Sequence, residues 1–297
     1  VWGFTWKPES YYRAIINWVK QRYDLDVTKE MINFVPGIVP GIGMAMNSFT
    51  RPGDKVMIQP PVYHPFAWVT TRNERTLVTN PLKWENGMYR MDLDAFREQV
   101  KGCKLFILCN PHNPGGVVWT EDELRTVAEI CYEEKVLVFS DEIHADLTLP
   151  PYKHRPFATI SEKAKMNSVT FMSPSKAFNM PGLAASHAII FNEDLRARFR
   201  KFMDAGELDM GHVFAFLSVE AAYTHGTEWL DQCLAYIQGN IDYVDNFLKT
   251  HAPRIKAIRP QASYLVWLDC RELGLNQEAL NEFFVDKAHL ALNDGAM

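Results

Sequence analysis

Cysteine is scarce in this sequence, and the five present (Cys103, Cys109, Cys131, Cys233 and Cys270) form no C-x-x-C pair. That spacing offers neither a zinc ribbon nor a disulfide framework, so a reduced, cytoplasmic setting is expected. Excess positive charge is missing too. With 31 basic and 36 acidic side chains the formal charge is −5. Neither nucleic acid nor an anionic membrane is therefore an expected partner. No apolar run approaches the roughly 20 residues that span a bilayer. No charged-then-apolar signal segment opens the sequence. Internal repeats and low-complexity linkers are absent, and the prolines and glycines fall in turns between elements.

What remains is the composition of a folded domain, 47% hydrophobic and 23% charged over 297 residues. A chain of this length buries about 75% of the surface it exposes when unfolded, enough for two unequal units. A large unit is expected over 1–230 and a smaller, partial one over 231–297. The start "VWGFTW", without methionine, and the stop at "LALNDGAM" read as those of an internal fragment of a longer protein. The closing apolar run is expected to be a strand.

Short apolar runs alternate with longer segments of helical period. Strands are expected at 55–60, 104–110, 136–141, 168–173 and 187–192. Each is apolar nearly throughout, as in a parallel sheet covered on both faces. Helices are expected at 7–23, 39–49, 63–72, 92–101, 121–134 and 194–204. Thr120 followed by Glu123 is a capping-box start for one of them. Residues 212–250 read as helical throughout, before a strand at 263–269 and a helix at 277–287. The alternation predicts an α/β fold with a mostly parallel sheet between helices, plus a smaller α+β C-terminal part. The aromatic run "YYRAIINW" (11–18) has helical spacing and reads as core, and the basic stretch "HAPRIKAIRP" as a solvated connection. The histidines and cysteines show no metal-ligand spacing.

Ligands of open α/β sheets collect at the carboxyl ends of strands. Four predicted strand ends carry unusual polar residues: "QPPVYHPF", "CNPHNPGG", "SDEIHADL" and "SPSKAFN". Singly, each has an ordinary reading as turn, helix cap or surface lysine. Lys176 stands out, because a lysine ending a buried strand is costly to keep charged, and a neutral lysine is a nucleophile toward aldehydes.

Together these stretches resemble the class I/II aminotransferase family of fold-type-I enzymes that use pyridoxal 5′-phosphate (PLP). The likeness is closest to its cystathionine β-lyase or cysteine-S-conjugate lyase branch, chiefly through "DEIH" and "SKAFN". It implies roles residue by residue. Lys176 corresponds to the lysine that bonds the cofactor's aldehyde carbon and later moves the substrate's α-proton. Asp141 corresponds to the carboxylate that pairs with the pyridine nitrogen and keeps it protonated. Asn113 and His144 match positions that reach the 3′-oxygen, with His144 standing where many transaminases carry tyrosine. Tyr63 matches the ring that stacks on the cofactor. Gly37 and Ile38, at an expected helix start, would meet the phosphate with free N–H groups. Ser173 and Ser175 would add hydroxyl donors.

The resemblance also implies a homodimer, in which a tyrosine from the neighbouring subunit contacts the phosphate. Phe4 stands at that position and lacks the hydroxyl, a difference of about 1.5–3 kcal/mol for a bond to a charged group. The family's arginine for the substrate carboxylate would fall beyond residue 297. The expected function is a PLP-dependent lyase that cleaves the C–S bond of cystathionine or another cysteine S-conjugate. The alternatives are a PLP-dependent aminotransferase, which starts from the same proton removal, and a non-catalytic PLP-binding regulatory protein.

Overall fold

A computed structural model of the protein describes residues 5–296. Its strands are β1 (Ile32–Val35), β2 (Lys55–Ile58), β3 (Thr76–Thr79), β4 (Lys83–Glu85), β5 (Met88–Arg90), β6 (Cys103–Cys109), β7 (Leu137–Asp141), β8 (Ser168–Met172), β9 (Ser186–Ile189), β10 (Lys256–Ile258) and β11 (Trp267–Asp269). Seven of them form one sheet in the order β1-β9-β8-β7-β6-β2-β3. The β3, β2, β6, β7 and β8 neighbours are all parallel, whereas β9 runs antiparallel to both β8 and β1. The sheet is thus mostly parallel, as expected. The run at 187–192, read with the parallel strands, is its exception. Residues 173–185 join β8 to β9 without an α-helix. A parallel return needs a crossover of a dozen residues or more, usually carrying a helix, so the short return brings β9 back antiparallel.

The helices are α1 (Glu9–Tyr23), α2 (Ile38–Phe49), α3 (Pro65–Arg72), α4 (Leu93–Gln99), α5 (Glu121–Glu133), α6 (Glu162–Met166), α7 (Glu193–Ala205), α8 (Val213–His225), α9 (Thr227–His251) and α10 (Gln277–Glu282). On α5, Leu124, Val127, Ala128 and Cys131 are buried, the i, i+3, i+4, i+7 pattern of one apolar face. The reciprocal cap between Thr120 and Glu123 forms as read from the sequence. On α1 the buried Tyr11, Ala14, Ile15, Trp18 and Val19 make the aromatic run part of the core.

Alternation along the strands splits the core into layers. Leu105, Ile107, Leu137 and Phe139 pack with residues of α2 and α7, whereas Phe106, Leu108 and Val138 pack with residues of α4, α5 and α6. Each large side chain so buried stabilises the fold by about 1.5–3 kcal/mol. Gly41 lets α2 approach the sheet closely, since a Cβ there would sit 2.8 Å from Val35 Cγ2.

Near the C-terminus residues 212–250 are helical as expected, in two helices rather than one, and the strand expected at 263–269 is reduced to Trp267–Asp269. The helical stretch at 212–250 breaks at Gly226, where a Cβ would lie 2.3 Å from the Phe178 ring. The glycine ends α8 and opens α9, which continues through His251. The closing apolar run is not a strand: Leu290 and Leu292 lie in irregular backbone and are about half exposed.

Candidate active site

The carboxyl ends of β2, β6, β7 and β8 meet the start of β9 and the β1–α2 junction at one edge of the sheet. A cavity of about 210 Å³ opens there. Gly37, Ile38, Tyr63, Asn113, Asp141, His144, Ser175 and Lys176 all line it. Residues spread over 140 positions of sequence are thereby gathered in one place by parallel strands that end together.

Each side chain is set by its element. Asp141 is the last residue of β7 and lies level with Cys109 of β6. It follows Leu137 and Phe139 on one face of the strand, so the period-2 alternation aims it away from Ser140 and Glu142. Its carboxylate is 4% exposed and accepts one hydrogen bond, from the Ile143 N–H at 3.1 Å. Burial pushes the Asp141 carboxyl up to about 7, although the Ile143 N–H and the Lys176 charge oppose the rise. A carboxyl in that position gains most from a cationic partner.

His144 follows in the same turn. Its Nε2 lies 3.4 Å from Asn113 Nδ2, and its buried Nδ1 has no hydrogen-bond partner. Burial, and next the charge of Lys176, bring its imidazole down to about 4, so it is neutral at physiological pH. Tyr63 is anchored by its backbone N–H, which donates to the Asn113 carbonyl at 3.0 Å. Its ring meets Phe66 edge-on, and burial, then Asp141, raises its phenol above the ordinary range.

The start of α2 also lines the cavity and suits an anion. Gly37 precedes α2 with φ +140°, a backbone state that side-chain-bearing residues rarely adopt. The first N–H groups of α2 have no intrahelical acceptor, and the helix dipole favours negative charge there. Ser175 lines the cavity, while Ser173 sits behind it. The two hydroxyls are 2.9 Å apart, and Ser173 Oγ also donates to the Ala185 carbonyl at 2.7 Å. Ser173 thus touches the cavity through Ser175. Phe4 lies outside the described residues.

Cys109, Ile143, Pro181 and Ala184–Ser186 also line the cavity but were not singled out in the sequence. Cys109 follows Leu105 and Ile107 on the strand face that ends at the site, a signal available from alternation alone. Ala184–Ser186 reach it only because β9 is antiparallel, which periodicity does not encode. The set can hold a flat ring against Tyr63, a cationic nitrogen at Asp141 and an anion at the start of α2. It can also present an amine from Lys176.

Known proteins similar to this chain agree with one another. A model of the family "Aminotransferase class I and II" matches residues 6–294. The chain is 39% identical over 297 residues to the cystathionine beta-lyase PatB of Bacillus subtilis (strain 168), covering 99% of this chain and 77% of that protein. Cystalysin from Treponema denticola, solved with a pyridoxal 5′-phosphate cofactor, superposes with a TM-score of 0.96 at 35% identity, over 99% of this chain and 76% of that one. The PLP-bound C-S lyase of Staphylococcus hominis superposes with a TM-score of 0.90 at 34% identity, over 99% and 75%.

Proposed function

This chain belongs to the aminotransferase class I and II family, on its cystathionine β-lyase and C–S lyase branch, and from that premise we propose that it is a PLP-dependent lyase acting on cystathionine or related cysteine S-conjugates. The products are a thiol, pyruvate and ammonia. One observation carries the reading: Lys176 and Asp141 share a cavity with Tyr63, Asn113, His144 and the start of α2.

The cavity fits the cofactor on its own chemistry. A buried carboxyl pushed up to about 7 suits a protonated ring nitrogen, and the unpartnered His144 Nδ1 and Gly37 turn suit a polar, anionic guest. When bound, PLP supplies an electron sink for the pair left on the substrate's α-carbon. Asp141 would keep the pyridine nitrogen protonated. Asn113 and His144 would hold the cofactor's 3′-oxygen, and Tyr63 would pack against its ring. Gly37, Ile38, Ser175 and, through it, Ser173 would hold the phosphate. Lys176 would hold the cofactor through its aldehyde carbon, and its amine would take the substrate's α-proton. The C–S bond breaks as the thiolate leaves Cβ and gains a proton. The three-carbon remainder takes up water to give pyruvate and ammonia.

A second reading, aminotransferase, is supported by the family's own description. It differs in where the proton from Lys176 is returned. The test is to supply the complete protein with PLP and L-cystathionine, and to assay pyruvate and thiol with and without a keto-acid acceptor. Pyruvate and thiol without acceptor support the lyase. Amino transfer that requires the acceptor, without pyruvate release, supports the alternative. No turnover at all would leave a PLP-binding regulator. We further propose a homodimer, and a strictly monomeric complete protein in sedimentation would count against it.

A further inference from the structure

His112 lies beside the site but does not line its cavity. It is 2% exposed, packed between Trp119 at 5.4 Å and Tyr89 at 6.3 Å between ring centroids. An imidazole buried so fully among aromatic rings would be replaced at no packing loss by phenylalanine, unless its polar atoms are needed. One of them is used: Nε2 lies 2.9 Å from the Pro61 carbonyl oxygen, across 51 positions of sequence. A carbonyl only accepts, so Nε2 carries the proton. Nδ1 is buried without a partner, and burial holds the ring down at about 4, hence neutral at physiological pH.

The acceptor belongs to the loop that carries Tyr63. Two consecutive prolines, Pro60 and Pro61, remove two N–H donors from this loop, so its backbone is located by partners from outside. Leu82 N–H donates to the Pro60 carbonyl at 2.8 Å, and Tyr63 N–H donates to the Asn113 carbonyl at 3.0 Å. His112 supplies the bond in between. Residues 112 and 113 therefore grip 61 and 63 in register, one through a side chain and one through the backbone. The far side of the ring is equally fixed. A Cβ on Gly115 would stand 2.8 Å from His112 Nδ1 and 3.0 Å from the Tyr89 ring.

We infer that His112 is a positioning residue, whose Nε2–H bond to the Pro61 carbonyl holds the Tyr63 ring at the height and tilt the cofactor needs. This rests on the reading that Tyr63 stacks on the bound cofactor. It predicts a specific pattern among three variants: His112→Phe keeps the volume and removes the donor, His112→Gln restores an N–H at the reach of Nε2, and Tyr63→Ala removes the ring. Misplacement of a contact group by about an ångström costs up to roughly 10²-fold.

The experiment measures the PLP dissociation constant of each cofactor-free protein by titration, together with amide hydrogen exchange at Tyr63 without PLP. His112→Phe should weaken PLP binding by about 10-fold or more and speed Tyr63 exchange, with core amides of β6 and β7 unchanged. His112→Gln should return both readouts to within about threefold of wild type. Wild-type affinity and exchange in His112→Phe would overturn the inference. So would a His112→Gln protein as impaired as His112→Phe, since the ring would then act by packing alone. Should Tyr63→Ala bind PLP as well as wild type, the functional reading of Tyr63 fails instead. The exchange measurement, which needs no cofactor, then still decides whether His112 holds the loop.

Discussion

The turn after β7 has two faces, and they are built on opposite principles. Glu142 and Asp146 point away from the cavity and are fully provided for. Glu142, 1% exposed, meets the Ser140 hydroxyl at 2.8 Å, the Phe157 N–H at 2.8 Å and His154 Nε2 at 2.7 Å. Asp146 accepts from the Trp18 indole N–H at 3.0 Å and from the Tyr23 hydroxyl. Asp141 and His144, from the same turn, point into the cavity. Asp141 has one backbone donor, and His144 keeps an unpartnered buried nitrogen. Buried polar groups in proteins are nearly always paired. The first face fastens the turn to α1 and the following loop, and the second lines the cavity at which the proposed function places the cofactor.

The comparison can be broken by substitutions that should fall into two classes, cavity-face changes costing function and core-face changes costing stability. Lys176→Ala should have the largest effect, abolishing both turnover and the visible absorbance of bound cofactor while the protein remains folded. Retained turnover would mean that another group moves the proton. Asp141→Asn should lower kcat on the order of 10²–10³-fold, by analogy with the loss of one electrostatic contact in other active sites.

The same Asp141→Asn change should stabilise the cofactor-free protein. The folded carboxyl titrates near 7, above its ordinary 3.8. A raised pKa favours the fold below the unfolded value, and the advantage is lost as pH climbs through the folded one. Wild type should therefore lose stability relative to Asp141→Asn between about pH 4 and pH 7, by on the order of 4 kcal/mol. Urea unfolding at pH 5 and pH 8 reads the difference directly, and a gap that does not widen with pH would contradict it.

On the core face, Glu142→Gln should destabilise by about 1.5–3 kcal/mol, because three donors lose a charged acceptor. Once PLP is saturating, its residual activity should remain near wild type. Asp146→Asn should cost less than Glu142→Gln, because burial already holds the Asp146 carboxyl above the ordinary range and the Tyr23 and Trp18 donors only oppose that rise. Thermal unfolding of both variants would sharpen the ranking.

The unequal legibility of the two faces in the sequence has a physical cause. Asp141 and His144 were visible because polar residues stood at the end of an apolar run, and strand ends are where open sheets hold ligands. Glu142 and Asp146 sit in the same quoted stretch, yet Trp18 and Tyr23 come from a distant segment, and His154 from a following loop that no local period connects to Glu142. The central strands announced themselves as apolar runs. β1 did not, because Asn33 interrupts it; its side chain is buried by donating to the Met31 and Ala188 carbonyls, at 3.0 and 3.2 Å. β3, β4 and β5 escaped because they are short and partly exposed, too brief for alternation to show. Strand direction was invisible for a different reason: the pattern of β9 is the same whichever way it runs, and only the short return after Lys176 makes it antiparallel.

The most direct test sets neighbours against each other with the same chemical change. Cofactor-free Asp141→Asn and Glu142→Gln proteins would be unfolded in urea at pH 8 beside wild type. The account predicts a midpoint above wild type for Asp141→Asn and below it for Glu142→Gln. If both fell together, the two faces of the turn would be equivalent parts of the scaffold, and the claim that one of them is held open for a cofactor would be wrong.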